Sequence, residues 1–89
     1  MRVHCFISGK VQGVFFRKYT KDCANKLGIN GWVKNLSDGK VELVAEGDER
    51  DIEEFLDFLK KGSPGSSVER MEVRVEKSVN EFRSFEIIY

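Results

Sequence analysis

The sequence holds little of what a conventional catalytic centre is built from. It has one histidine, His4, and two cysteines, Cys5 and Cys23, in 89 residues. No group of His, Cys and carboxylate residues has the spacing of metal ligands. No apolar run approaches the ~18 residues of a membrane span, and the opening "MRVHCFISGK" is too short in apolar residues for a signal peptide. Charge of one sign is also missing: 15 basic residues balance 15 acidic ones, whereas nucleic-acid binders usually carry a basic excess. Cys5 and Cys23 both fall at apolar positions of predicted elements, so they read as buried free thiols and not as a disulfide. Together these absences predict a soluble, cytoplasmic protein.

What is present fills one domain, residues 1–89. Size scaling predicts a folded surface of about 5,300 Å², enough for one sheet with helices on one face. Val3, Cys5 and Ile7 alternate with polar residues in a half-buried strand that breaks at Gly9. Phe16, Thr20, Cys23 and Leu27 recur at helical spacing, with Gly28 as a stop. "INGWVKNL" and "KVELVAEG" are two strands joined by a turn at Asp38-Gly39, and Val41, Leu43 and Ala45 share a face of the second. Asp48 reads as an N-cap to a second helix, with Ile52, Phe55, Leu56 and Leu59 as its apolar stripe and Gly62 at its end. Met71, Val73 and Val75 alternate with Glu72, Arg74 and Glu76 in a further strand. Phe85, Ile87 and Tyr89 suggest a last, short one. The order predicts an α+β, ferredoxin-like βαββαβ sandwich: an antiparallel sheet, two helices on one face, and a short extra C-terminal strand. Trp32 is expected at a sheet edge or under a loop.

The connection "GKVQGVFFR", Gly9 to Arg17, carries the first functional signal. Successive N–H groups in a glycine-bearing turn converge on an anion, and the N-terminus of the following helix adds free N–H groups and partial positive charge. Arg17 offers a planar fork to two phosphate oxygens. A glycine loop between strand and helix is also an ordinary connector. Against that, a cation at a helix N-terminus opposes the helix dipole, and a local rule broken in this way often marks a site. The loop fits neither a Walker motif nor a dinucleotide fingerprint. Asn35, near a strand end, fits turn chemistry; it also fits a neutral amide able to hold a water.

"ISGKVQGVFFR", Ile7 to Arg17, and "GWVKNLSDGKVELVAEG", Gly31 to Gly47, resemble the two signatures of the acylphosphatase family without a gap or departure. The length and element order are similar to that family across the whole chain. The resemblance implies hydrolysis of acyl phosphates to a carboxylate and inorganic phosphate without metal or cofactor. It implies that phosphate is held by Arg17 and the backbone of Gln12, Gly13, Val14, Phe15, Phe16 and Arg17, and that Asn35 positions the attacking water. It implies a small-molecule acyl phosphate as substrate and inorganic phosphate or sulfate as product or inhibitor. A monomer with neither nucleic-acid nor membrane partners is the expectation that goes with it. Related domains also occur inside larger proteins acting on carbamoyl phosphate, and the span from Met1 to the last strand favours a free-standing enzyme.

The residue chemistry agrees independently. The loop has no Ser, Cys, Asp or His to act as nucleophile. A site of positive charge, N–H groups and one amide suits a leaving group that needs no proton, and a carboxylate of pKa about 4 is one. The alternative is a ferredoxin-like RNA-binding or anion-binding module without catalysis. Phe6, on the sheet face opposite Ile7, is its best stacking residue, but no RNP1-like run accompanies it.

Overall fold

The computed structural model describes residues 1–89. The chain runs β1 (Arg2–Lys10), α1 (Phe16–Leu27), β2 (Asn30–Asn35), β3 (Val41–Glu46), α2 (Glu49–Lys61), β4 (Ser67–Glu76) and β5 (Phe85–Ile88). The strands form a single sheet in the order β4-β1-β3-β2-β5. This is the ferredoxin-like arrangement with a fifth strand added. Its accessible surface is 5419 Å², close to the size-scaling value. No helix is long and apolar enough to cross a membrane.

The sheet is antiparallel except at one edge, where β5 runs parallel to β2. The four strands of the expected antiparallel sheet are antiparallel, and the extra C-terminal strand, whose direction the sequence reading left open, makes the sheet mixed. The chain leaves β4 on one edge, passes beneath the sheet through residues 77–84 and returns upward on the far edge. A strand arriving that way must run opposite to β4, and so alongside β2.

Burial follows the alternation. Val3, Cys5, Ile7, Val33, Val41, Leu43 and Ala45 turn one sheet face to the helices, and all are fully buried. Phe16, Cys23 and Ala24 of α1 and Ile52, Phe55 and Leu59 of α2 close the core from the other side. Phe55 meets Phe85 of β5 edge to face, with centroids 6.0 Å apart. Both cysteines are free and buried, and burial pushes the Cys5 thiol up to about 12. Asp48 does stand at the N-cap of α2, but its side chain makes no capping bond.

Two local expectations change. β1 does not break at Gly9; it continues to Lys10 through a bulge at Ser8/Gly9. Gly9 has φ 126°, and a Cβ there would come within 2.1 Å of the Ser67 carbonyl oxygen, so only glycine lets β4 pair past the bulge. Trp32 lies on the open sheet face, not at an edge or under a loop. It stands edge-on to His4 at 6.4 Å, with Lys34 Nζ 5.4 Å from its centroid. Val73 and Val75 point to the helix side with Cys5 and Val3, yet stay 37% and 67% exposed because β4 reaches beyond the helices.

The crossing below the sheet is anchored by a charged cluster. The Glu46 carboxylate accepts the N–H groups of Val79 at 3.1 Å and Asn80 at 2.8 Å, and pairs with Arg2 at 3.1 Å. Arg2 also binds Glu76 at 3.0 Å and Glu81. Burial alone would raise the Glu46 carboxyl, but the Val79 N–H, the Arg2 guanidinium and the Asn80 N–H outweigh it and hold it below the usual carboxylate range.

Candidate active site

The end of β1 and the start of α1 are separated by a loop that no regular structure completes. Gly13 has φ 72° and Phe15 φ 59°, both in the left-handed region. Glycine adopts that geometry freely; for Phe15 it is strain of about 1 kcal/mol or more. Phe15 is also 83% exposed, so burial of its ring does not offset the strain. Phe15 is the N-cap of α1, with no side chain capping the helix and no acidic residue in its first turn.

The backbone N–H groups are the main product of this geometry. Val11 donates to Gly9 and Tyr19 to Phe15, but none of the N–H groups from Gln12 to Lys18 donates to a protein acceptor. A run of unpartnered donors at a helix N-terminus is an anion-binding arrangement. Arg17 projects from the first turn of α1, its guanidinium carbon 4.9 Å from the centre of the Tyr89 ring. It enters no ion pair with a carboxylate, whereas its neighbour Lys18 is engaged by Asp22 at 2.9 Å.

Gly13, Phe15, Phe16, Arg17 and Asn35 line one cavity of about 420 Å³, together with Val11, Lys18, Ile87 and Tyr89. Asn35 is the last residue of β2, paired with Val41 at the mouth of the hairpin. Its Oδ1 is buried and has no hydrogen-bond partner, alone among the buried side-chain polar atoms. An orphaned carbonyl of this kind costs about 1–3 kcal/mol, and native proteins leave few of them without a reason.

Of the residues singled out in the sequence, Gln12 and Val14 do not line the cavity. Gln12 holds the loop in place: its Nε2 donates to the carbonyls of Leu36 at 2.8 Å and Lys40 at 2.9 Å, binding the loop to the β2–β3 hairpin. Val14 packs against the core, and its carbonyl accepts from Ser63 Oγ at 3.4 Å. The sequence reading missed the Gln12 side-chain role, although an amide in a loop is a natural bidentate donor. It also missed Ile87 and Tyr89, whose alternation marked a strand but not its neighbour. The cavity lining includes no His, Cys, Asp or Glu. His4 lies on the open sheet face between Glu42, at 2.6 Å, and Glu76, at 3.4 Å.

Comparison with known proteins gives the same direction. A family model for acylphosphatase matches residues 3–87. An acylphosphatase of Syntrophobacter fumaroxidans is 50% identical over 88 residues, covering 99% of this chain and 91% of the relative. The crystal structure of acylphosphatase from Bacillus subtilis superposes with a TM-score of 0.96 at 39% identity, covering 99% of this chain and 98% of that one. An acylphosphatase structure from Coxiella burnetii superposes with a TM-score of 0.91 at 40% identity, over 98% and 90% of the two chains. Signatures, fold and relatives agree over nearly every residue, and the chain belongs to the acylphosphatase family, hydrolases that act on acyl phosphates.

Proposed function

We propose that this protein hydrolyses acyl phosphates by direct attack of a water held by Asn35, with the phosphoryl group bound by Arg17 and the backbone N–H groups from Gln12 to Arg17. The observation that carries this reading is the buried, unpartnered Oδ1 of Asn35 in the same cavity as the free Arg17 guanidinium. Asn35 lines the cavity, and a small rotation of its amide would let this acceptor take a water, which would then stand beside the phosphorus.

The chemistry balances with these groups alone. The water oxygen forms the new P–O bond, and the bond between phosphorus and the acyl oxygen breaks with its electron pair on the carboxylate. One water proton leaves to a phosphate oxygen, giving inorganic phosphate. The transition state spreads charge over the equatorial oxygens, where the loop N–H groups and Arg17 would meet it without reorganisation. The leaving carboxylate requires no general acid. A phosphomonoester would have to expel an alkoxide and is therefore a poor substrate.

A nucleic-acid role is less well supported. The open-face aromatics are already covered by the chain's own cations, Arg74 over Phe6 at 5.3 Å and Lys34 over Trp32 at 5.4 Å. Glu42 and Glu76 flank His4 on the same face.

The test is hydrolysis of benzoyl phosphate in EDTA, with p-nitrophenyl phosphate in parallel and Arg17→Ala as control. Loss of benzoyl phosphate that disappears in Arg17→Ala, with the ester nearly untouched, supports the reading. A folded wild type that turns over neither compound overturns it.

A further inference from the structure

Phe15 combines two properties that are both costly to a folded chain: a left-handed backbone at φ 59° and a ring left 83% exposed. With Lys18 it borders the candidate site and also a second cavity of about 290 Å³. That cavity lies between the start of α1 and the α2–β4 connection, where Val14, Tyr19, Ser63 and Pro64 contribute to its wall. Every polar side chain around it is already engaged within the chain. The Tyr19 hydroxyl donates to the Phe58 carbonyl at 2.9 Å, and Ser63 Oγ donates to the Val14 carbonyl at 3.4 Å. Lys18 pairs with Asp22 at 2.9 Å. What is left for a ligand is apolar contact with the Phe15 and Tyr19 rings, Val14 and Pro64, beside an ion pair that carries no net charge.

We propose that this second cavity receives the acyl group of the substrate, with the Phe15 ring as its specificity-determining wall, and that it selects uncharged aromatic or apolar acyl groups over small or charged ones. The assignment rests on acyl phosphate hydrolysis at the first cavity and names the substrate class. In phosphoryl transfer the attacking and leaving oxygens stand roughly in line on opposite sides of the phosphorus. The water side is the Asn35 side. β5 pairs with β2 through Val33↔Ile87 and Lys34↔Ile88, so Ile87 and Tyr89 stand on that side too. The side away from Asn35 is the start of α1, where Phe15 and Lys18 border the second cavity.

A phosphoryl group held by the loop N–H groups and Arg17 therefore turns its acyl oxygen towards the Phe15 ring. An aromatic acyl group laid on that ring removes apolar surface of both from water. An acyl group with a carboxylate of its own gains little, because it would have to part Lys18 from Asp22 or lie against the Asp22 carboxylate. The exposure of Phe15, unexplained by packing, is then the exposure of an empty contact surface.

Steady-state kinetics with benzoyl phosphate and acetyl phosphate test this, since both release a carboxylate of pKa about 4 and differ chiefly in the acyl group. The wild type should favour benzoyl phosphate in kcat/KM by roughly tenfold or more, mostly through KM. Phe15→Gly suits the left-handed φ without the ring and should bring the ratio close to parity; Phe15→Tyr should retain it. Pro64→Ala, on the far wall, should shrink the ratio about threefold. Ile87→Ala, on the Asn35 side, should leave the ratio unaltered. A wild type with no benzoyl preference, a Phe15→Gly ratio equal to that of the wild type, or a ratio that falls in Ile87→Ala and not in Phe15→Gly would each overturn the acyl cavity, while turnover of both compounds leaves the hydrolase reading standing. A folded wild type that turns over neither compound overturns both.

Discussion

The Gln12 side chain donates to the Leu36 carbonyl at 2.8 Å, joining the β1–α1 loop to the residue that directly follows Asn35. The same amide reaches the Lys40 carbonyl at 2.9 Å on the other side of the hairpin turn. The two halves of the candidate site are thus held together by one side chain. Gln12→Ala should lower kcat/KM about tenfold or more, because misplacement of a catalytic group by even ~1 Å is costly. Two hydrogen bonds are lost, at roughly 1 kcal/mol each. Steady-state kinetics with benzoyl phosphate, alongside urea denaturation, separate the two effects. Unchanged kinetics in a destabilised Gln12→Ala would show that the staple serves only the fold.

Arg17 is held over the Tyr89 ring by a contact that leaves its N–H donors free. Arg17→Ala should cost at least the ~10²- to 10³-fold of one lost preorganised donor, with phosphate binding lost as well. Arg17→Lys keeps the charge and loses the planar fork, and should fail nearly as badly. Inhibition by inorganic phosphate measures the binding part. Near-normal turnover in Arg17→Lys would mean that a point charge is sufficient.

Asn35 presents an unusual trade between stability and activity. Asn35→Ala removes a buried acceptor without a partner, so Tm should hold steady or rise, by the equivalent of up to ~1–3 kcal/mol. kcat should fall by about 10²-fold while inhibition by phosphate stays unchanged, since water placement matters only on the way to the transition state. Weakened phosphate inhibition would instead make Asn35 a direct ligand. Across mid-acid to neutral pH kcat should be flat, because no titrating side chain is assigned to proton transfer.

Glu46 contributes to acid stability. Its folded carboxyl is held below the unfolded value by the Val79 and Asn80 N–H groups and Arg2, which together exceed the upward push of burial. Its contribution is thus complete above the unfolded carboxylate value of about 4.3 and is lost as pH falls through the lower folded value. Glu46→Gln should lower stability at neutral pH by about 1–3 kcal/mol and flatten the decline of Tm below pH ~4. Thermal melts of both proteins across that window test this. Parallel curves would assign the acid transition to other carboxylates.

Local chemistry made much of this protein legible in its sequence. Alternation at Val3, Cys5 and Ile7 and at Val41, Leu43 and Ala45, and helical spacing at Ile52, Phe55 and Leu59, identify the buried faces because side-chain direction repeats with backbone geometry. The glycine-bearing loop before Arg17 marks a candidate anion site because the requirement for unusual φ and the uncapped helix start are both properties of adjacent residues.

Tertiary structure alone decided the rest, since it concerns which distant atoms meet and which are left unpaired. The parallel direction of β5 follows from the route of residues 77–84 beneath the sheet, which no periodicity records. The place of Trp32 on the open face, the Gln12 amide on the hairpin and the Tyr89 ring under Arg17 are long-range contacts of side chains with ordinary local roles. By sequence Asn35 fits both turn chemistry and a water-holding amide; only the fold leaves its Oδ1 buried without a partner at the cavity that Arg17 also lines. Sequence pattern determined which faces are apolar and where the backbone must bend, whereas the satisfaction of each polar group is a global property of the packed chain.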